Sequence, residues 1–318
     1  MKVYVVRRLL LVIPTIFIAS FVIFFLVHLI PGNVVDMMVS GQQTATEEAR
    51  HTVEHDLGLD VPLYVQYVRW IGNISHGDLG KSLWTKTAVT QEIVARLPVT
   101  LELGIIALLV SLLIALPIGI YSAIRQDTLG DYLARTFAIL CIAVPGFWLG
   151  TLVIVFPAIW WGYTPPIVLI PFADNPLGNL RMFILPGIIL GMQLSGQTMR
   201  MTRTMMLEVL RQDYIRTAWA KGLKERVVIV RHALKNALIP VVTLIGILMP
   251  TLIGGTVIIE QIFGLPGLGR LIVDSTFRRD YTLISGVMLF YAFVLMFVNL
   301  VVDVTYGFLD PRTRNRYR

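Results

Sequence analysis

The 318-residue chain is short of charge and almost without cysteine. Asp, Glu, Lys and Arg supply 15% of it, against 56% for apolar types. A soluble domain draws about a quarter of its residues from those four charged types, so this chain has too few to cover a water-facing surface. Lipid must be the main solvent of its exterior. The one cysteine, Cys141, lies in an apolar run, which excludes an intrachain disulfide framework and a cysteine-based metal site. Low-complexity tracts and short tandem repeats are missing too. No Ser/His/Asp or Cys/His set of the kind nucleophilic catalysis uses can be picked out. The expectation is a chain that is not an enzyme, with no catalytic, cofactor or metal residues of its own.

Long apolar runs are what it does have. A bilayer core of about 30 Å takes roughly 20 helical residues, and six stretches qualify: Leu9–Ile30, Val99–Ile124, Leu133–Trp161, Met182–Met199, Ala237–Phe263 and Thr282–Tyr306. The expected class is an all-α membrane protein with six transmembrane helices. The fourth run is the weakest, because Gln193, Ser195 and Gln197 dilute its second half. The basic start "MKVYVVRR" resembles a secretory signal, but the run after it exceeds the roughly 7–15 residues of a signal core and no small-x-small cleavage site follows. It reads as an uncleaved span.

The chain then divides into a cytoplasmic N-terminus with the first span (1–30), an extracytoplasmic loop subdomain (31–98), a transmembrane core (99–306) holding a cytoplasmic loop at 200–236, and a tail (307–318). Orientation follows from the 27 Lys and Arg residues. Eighteen fall on one side: Lys2, Arg7 and Arg8, then Arg125 and Arg135, nine between Arg200 and Lys235, and four in the tail. The remaining nine fall on the other. The richer side is cytoplasmic by the positive-inside rule, which puts both termini inside.

Proline and glycine recur within the runs, at Pro117/Gly119, Pro145/Gly146, Pro186/Gly187 and Pro250/Gly254/Gly255. Two compatible readings apply: close helix packing with repaired backbone bonds, or a bundle that bends during transport. Three acids enter the runs near their ends, Glu102, Glu260 and Asp303. An acid at the bilayer centre costs about 2.5–3.5 kcal/mol on the insertion scale; near an interface the cost falls, so plain interfacial solvation competes with function. Glu102, Gln193, Gln197 and Glu260 are the candidates for a translocation path. No set of charges sits at mid-depth, which argues against a carrier driven by an ion gradient but leaves that class, and a non-transporting scaffold, as alternatives.

Three motifs tempt. "SHGDLGKS" (75–82) resembles a phosphate-binding loop, but Ser75 replaces the first glycine, no strand precedes it, and it lies outside the cell. "HTVEH" (51–55) matches an inverted zincin pattern, in a loop too short for a protease domain; a solvated amphipathic helix is the preferred reading, and metal affinity is left open. "FGLPGLGR" (263–270) lacks dinucleotide-binding spacing and reads as a tight turn.

The basic segment "RTAWAKGLKERVVIVRHALKNALIP" (216–240) carries the most information. It has Arg216, Lys221, Lys224, Arg226, Arg231 and Lys235 against one acid, Glu225. Anionic lipid headgroups, nucleic acid, a bare topology signal and a docking site all compete for it. Nucleic acid fails for want of a module. A topology signal needs no order beyond charge, whereas this segment has small residues (Ala218, Ala220, Gly222) followed by apolar positions at helical spacing: Val227, Val230, Ala233, Leu234 and Ala237. A helix stopping at Gly222 and a second starting after it suit insertion into a groove on another protein. Ala218 and Gly222 are expected to make that contact.

That segment resembles the cytoplasmic EAA loop of ABC-importer permeases, in the variant of the dipeptide/oligopeptide/nickel branch. Arg216, Thr217 and Ala218 take the three leading positions of E-A-A-x-x-x-G, with Gly222 following; the acid and first alanine are replaced. "RRLLLVIPTIF", "LGLDVPLYVQYVRW", "LPVTLELG", "VPGFWLG", "IFGLPGLGRLIVDSTFRRDY" and "LDPRTR" extend the resemblance to the B-type permease subunit over nearly the whole chain. It implies the type I ABC-importer permease fold and import of dipeptides or oligopeptides, with nickel, glutathione or oligosaccharide as alternatives. It also implies a second paralogous permease, two cytoplasmic ATPases holding ATP and magnesium, and an extracytoplasmic solute-binding protein. The coupling residues it implies are Arg216, Thr217, Ala218, Ala220, Lys221, Gly222, Leu223, Arg231 and His232.

The external loop from Pro31 to Pro98 is too long for a plain connection and too rich in aromatic and aliphatic residues for a polar linker. Short helices are expected within it, with Tyr67, Trp70 and Trp84 packed on the spans or offered to a partner. Together with Lys81 they are the candidates for docking the binding protein and guarding the mouth.

Overall fold

The computed structural model describes residues 2–31, 35–36, 47–56, 58–166 and 168–309. The expected tail arginines, Arg312 to Arg318, lie outside the described residues, as do the side chains of Lys2, Arg7, Arg8 and Asp303. Helices follow in the order α1 Lys2–His28, α2 Glu47–Asp56, α3 Leu63–Ser75, α4 Val89–Ile124, α5 Leu129–Ala143, α6 Gly146–Trp161, α7 Pro176–Leu210, α8 Asp213–Ala220, α9 Glu225–Phe263, α10 Leu268–Phe277 and α11 Tyr281–Leu309. Five are long and apolar enough to cross a membrane, and a sixth span is counted if α5 and α6 form one.

The expected span Leu133–Trp161 falls on this pair and is broken in two. α5 and α6 meet at 90°. Val144 ends α5 in an extended conformation (ψ 120°) and Pro145 opens α6. A residue before proline is pushed out of the helical region, and proline has no N–H to continue the ladder, so the "VPG" tripeptide turns the chain inside an apolar run.

The chain forms two compact units, one holding Thr100–Leu265 and the chain from Val298, the other Lys2–Val99 with Pro266–Phe297. In the first, α7 is the central element, packed by α9, α5 and α6. This explains the weak fourth run. Ser195, Thr198 and Thr202 are buried and return their hydroxyls to backbone oxygens of Met192, Leu194 and Thr198 at 2.7, 2.9 and 2.8 Å. A helix surrounded by protein needs fewer lipid-facing residues. Its glycines permit the packing: a Cβ on Gly191 would lie 2.6 Å from the Ala107 carbonyl oxygen, and one on Gly196 2.7 Å from that of Ala138. Of the glycines singled out in the sequence, Gly119 and Gly187 pack as closely. A Cβ on the first would lie 2.9 Å from the Met199 carbonyl oxygen and one on the second against Ile106 Cγ2, whereas one on Gly254 would meet nothing within 4 Å.

In the second unit, α3 stacks on α1. Tyr67 is buried among Phe17, Phe21, Phe24 and Phe25 of α1, and its hydroxyl lies 3.1 Å from Ser20 Oγ. A short reversal around the Lys81–Ala88 bridge follows, with Ser82 N–H donating to the Thr87 carbonyl at 2.9 Å. Val89 and Ile93 then join Leu268, Leu271, Leu283 and Val287 in one apolar cluster.

Candidate functional site

The basic segment folds as an elbow. α8 ends at Ala220, and Gly222 adopts a left-handed backbone, φ 74°. The Gly222 N–H donates to the Trp219 carbonyl at 2.9 Å and the Leu223 N–H to that of Ala218 at 3.4 Å. This pairing closes a helix whose next residue must have positive φ, the conformation glycine adopts without a Cβ penalty. α9 starts at Glu225 and runs through a π-helical stretch, Val228–Leu234, before continuing as an α-helix.

The elbow has two faces. Ile215, Ala218, Val228, Ala233 and Ala237 turn inward and pack with Ala123 and Met206 in one core cluster. Arg216, Thr217, Trp219, Ala220, Lys221, Gly222, Leu223 and Arg231 are exposed, and His232 is half-buried. Ala218 and Gly222, both expected at an outward contact, differ in setting: Ala218, at 7% exposure, packs into its own chain's core cluster. The apolar residues exposed on the elbow are Trp219, Leu223, Val227 and Val230. A Cβ at Gly222 would meet nothing within 4 Å, so the space above the turn is open.

The four path candidates are not alike. Glu260 is fully buried and accepts a hydrogen bond from Thr100 Oγ1 at 2.7 Å, which overturns its reading as an acid solvated at the interface. Glu102 is half-buried and accepts from Asn179 Nδ2 at 3.2 Å. Gln193 is half-buried beside Gly146, where a Cβ would lie 2.5 Å from its Oε1. Gln197 is exposed. All four lie in the first unit, where the two acids draw on different donors.

Sequence reasoning missed a buried ion pair. Asp131, with no exposed surface, receives Arg203 through Nη2–Oδ2 at 2.8 Å and Nε–Oδ1 at 2.9 Å. Ser122 Oγ donates to the same carboxylate, and the Asp127 N–H adds a bond at 3.1 Å. α4, α5 and α7 are thereby tied together. The signal available is an Asp at the start of one apolar helix and an Arg inside another. In sequence, Arg203 reads only as one more positive-inside charge.

In the second unit Trp70 is half-buried, with its ring against Phe24 and Tyr67, and Trp84 Nε1 donates to the Arg278 carbonyl at 2.8 Å. Lys81 is exposed. Asp280 is 2% exposed and accepts from Ser82 Oγ at 2.5 Å, Leu83 N–H at 3.1 Å and Leu283 N–H at 3.1 Å. The "HTVEH" residues lie on helix α2 with both histidines exposed, and His55 Nδ1 is 2.7 Å from Asp60 Oδ2. That contact holds the Asp60 carboxyl below its usual range.

Residues 115–315 match the family described as "Binding-protein-dependent transport system inner membrane component", and residues 1–104 match its N-terminal counterpart. A Brucella abortus protein whose name places it in a peptide transport system as a permease is 40% identical over 314 residues, 99% of each chain. The dipeptide transport system permease protein DppB of Escherichia coli K12 is 38% identical over 336 aligned positions, 98% of this chain and 99% of that one. The di/tripeptide transport system permease protein DppB of Pseudomonas aeruginosa is 38% identical over 333, with the same coverage. A solved amino acid ABC transporter with histidines aligns at TM-score 0.46 and 15% identity over 71% of this chain and 94% of its own. Spans, elbow and full-length identity converge: the chain belongs to the inner membrane permease components of binding-protein-dependent transport systems.

Proposed function

We propose that this chain is the B-type permease subunit of an ATP-driven importer of dipeptides and short oligopeptides. It works by alternating access beside a second, paralogous permease. The energy for transport comes from partner subunits. Two cytoplasmic ATPases, holding ATP and magnesium, supply it by gripping the elbow at 213–235. An extracytoplasmic binding protein delivers the peptide, and both termini lie in the cytoplasm. The peptide substrate is carried over from relatives alignable end to end, whose names specify peptides or dipeptides.

The observation that carries the coupling role is the two-faced elbow. Its inner face is welded into the core of the transmembrane unit, so force applied to the exposed Trp219–Leu223 surface passes to α7 and α9. A loop that served only as a topology signal would need no such anchoring. Gly222→Trp should leave the permease in the membrane but cut co-purifying ATPase and ATP-driven dipeptide uptake by about tenfold or more, the loss of a single well-seated interface contact. Gly222→Ala, which adds backbone strain but little bulk, should keep the ATPase. Normal coupling in a well-expressed Gly222→Trp variant sinks the assignment.

A further inference from the structure

The second unit contains a half-open cleft of about 370 Å³, within the usual size range of small-molecule sites. It lies at the C-terminal end of α1 and the start of α11, and its walls include Arg69, Lys81, Lys86, Asp78, Trp70 and Tyr281. Three cations face one carboxylate. Asp78 is already engaged through Oδ1 by the Gly80 N–H at 2.8 Å, and none of the three cations forms an ion pair among the described residues.

Trp70 lines this cleft, and its indole Nε1 is unusual. The atom is buried, and it has no hydrogen-bond partner among the described residues, although buried indole N–H groups ordinarily find one. Its ring packs on Phe24 at 5.5 Å between centroids, and Tyr281 stacks on His28 at 5.3 Å, so each ring of the aromatic wall has an aromatic neighbour. The cleft thus sets three basic side chains against one acidic one beside an aromatic surface. That chemistry suits a small molecule with one carboxylate and an apolar body. Inorganic anions would leave the aromatic wall unused.

We infer that this cleft binds a short peptide directly, its terminal carboxylate held by Arg69 and Lys81 and its side chain against Trp70 and Tyr281. The inference rests on the peptide-import reading and adds to it a receiving site in the permease itself, apart from the binding protein.

The test uses the assembled transporter in phosphatidylcholine nanodiscs, without binding protein or nucleotide, titrated calorimetrically with L-alanyl-L-phenylalanine. Saturable binding is expected. The C-terminal amide of the same dipeptide should bind about tenfold more weakly, the value of losing a charge-assisted hydrogen-bonded group, and Arg69→Gln/Lys81→Gln should lose a similar factor for the free acid. Equal affinity for acid and amide overturns the inference, as does undiminished binding in the Arg69/Lys81 double variant. Inorganic phosphate binding as tightly as the dipeptide overturns it in favour of a general anion site. ATP-driven dipeptide uptake with the binding protein is measured on the same purified transporter reconstituted into proteoliposomes. Uptake without direct binding rejects the cleft alone; absence of peptide uptake rejects the import reading.

Discussion

Asp131 and Asp280 are both buried aspartates in a chain with few charges, yet the molecule satisfies them in opposite ways. Asp131 faces a guanidinium, gripped at two points by Arg203 and supported by Ser122. Asp280 is held by uncharged donors: one hydroxyl and two backbone N–H groups. The first arrangement ties three helices of the transmembrane unit. The second caps the start of α11 and pins the Ser82 turn to it, so a loop is held by a helix end. A buried charge pair makes its partners interdependent, whereas a carboxylate shared among neutral donors loses its contacts one at a time.

The comparison breaks most visibly at Arg203. Arg203→Met strands the Asp131 carboxylate in the interior and should destabilise the protein by about 3–5 kcal/mol, read as a large drop in thermal midpoint in detergent. Asp131→Leu with Arg203→Met should recover much of that loss, since the stranded charge goes with its partner. A double variant as unstable as Arg203→Met would mean that the two residues do not act as one energetic unit. Asp280→Ala comes next. It removes a helix cap and the tie to Ser82, a loss of about 1–3 kcal/mol, and Asp280→Asn should recover part of it through the remaining carbonyl oxygen. If Asp280→Ala matched Arg203→Met in damage, the distinction between the two sites would fall. Smallest is Gly222→Ala, where the Cβ meets nothing and only the left-handed backbone resists, a cost of about 1–2 kcal/mol; a neutral midpoint would show that the turn relaxes.

What is legible in the sequence follows from physics that acts locally. Apolar runs of span length, the stop at Gly222 and the short helix within the external loop all depend on nearby residues, and each can be read from them. The α5–α6 turn is marked by Pro145, but the run around it stays apolar, and hydropathy carries no information about direction. Ala218 reads as a contact residue because a small side chain suits a groove; it suits an inner core equally well, and only the fold shows which one it enters. Asp131 and Arg203 lie 72 positions apart, and nothing local links them. Thr100, which donates to the buried Glu260, likewise lies 160 positions away.

The π-helical stretch Val228–Leu234 joins the exposed elbow to the long apolar part of α9. A π turn holds more residues than an α turn, so it stores surplus chain within a continuous rod. Converting one such turn to α geometry would rotate everything beyond it by about 100°, the angle of a single residue, without unwinding either end. The segment is therefore slack kept inside a helix that runs unbroken from the elbow to Phe263.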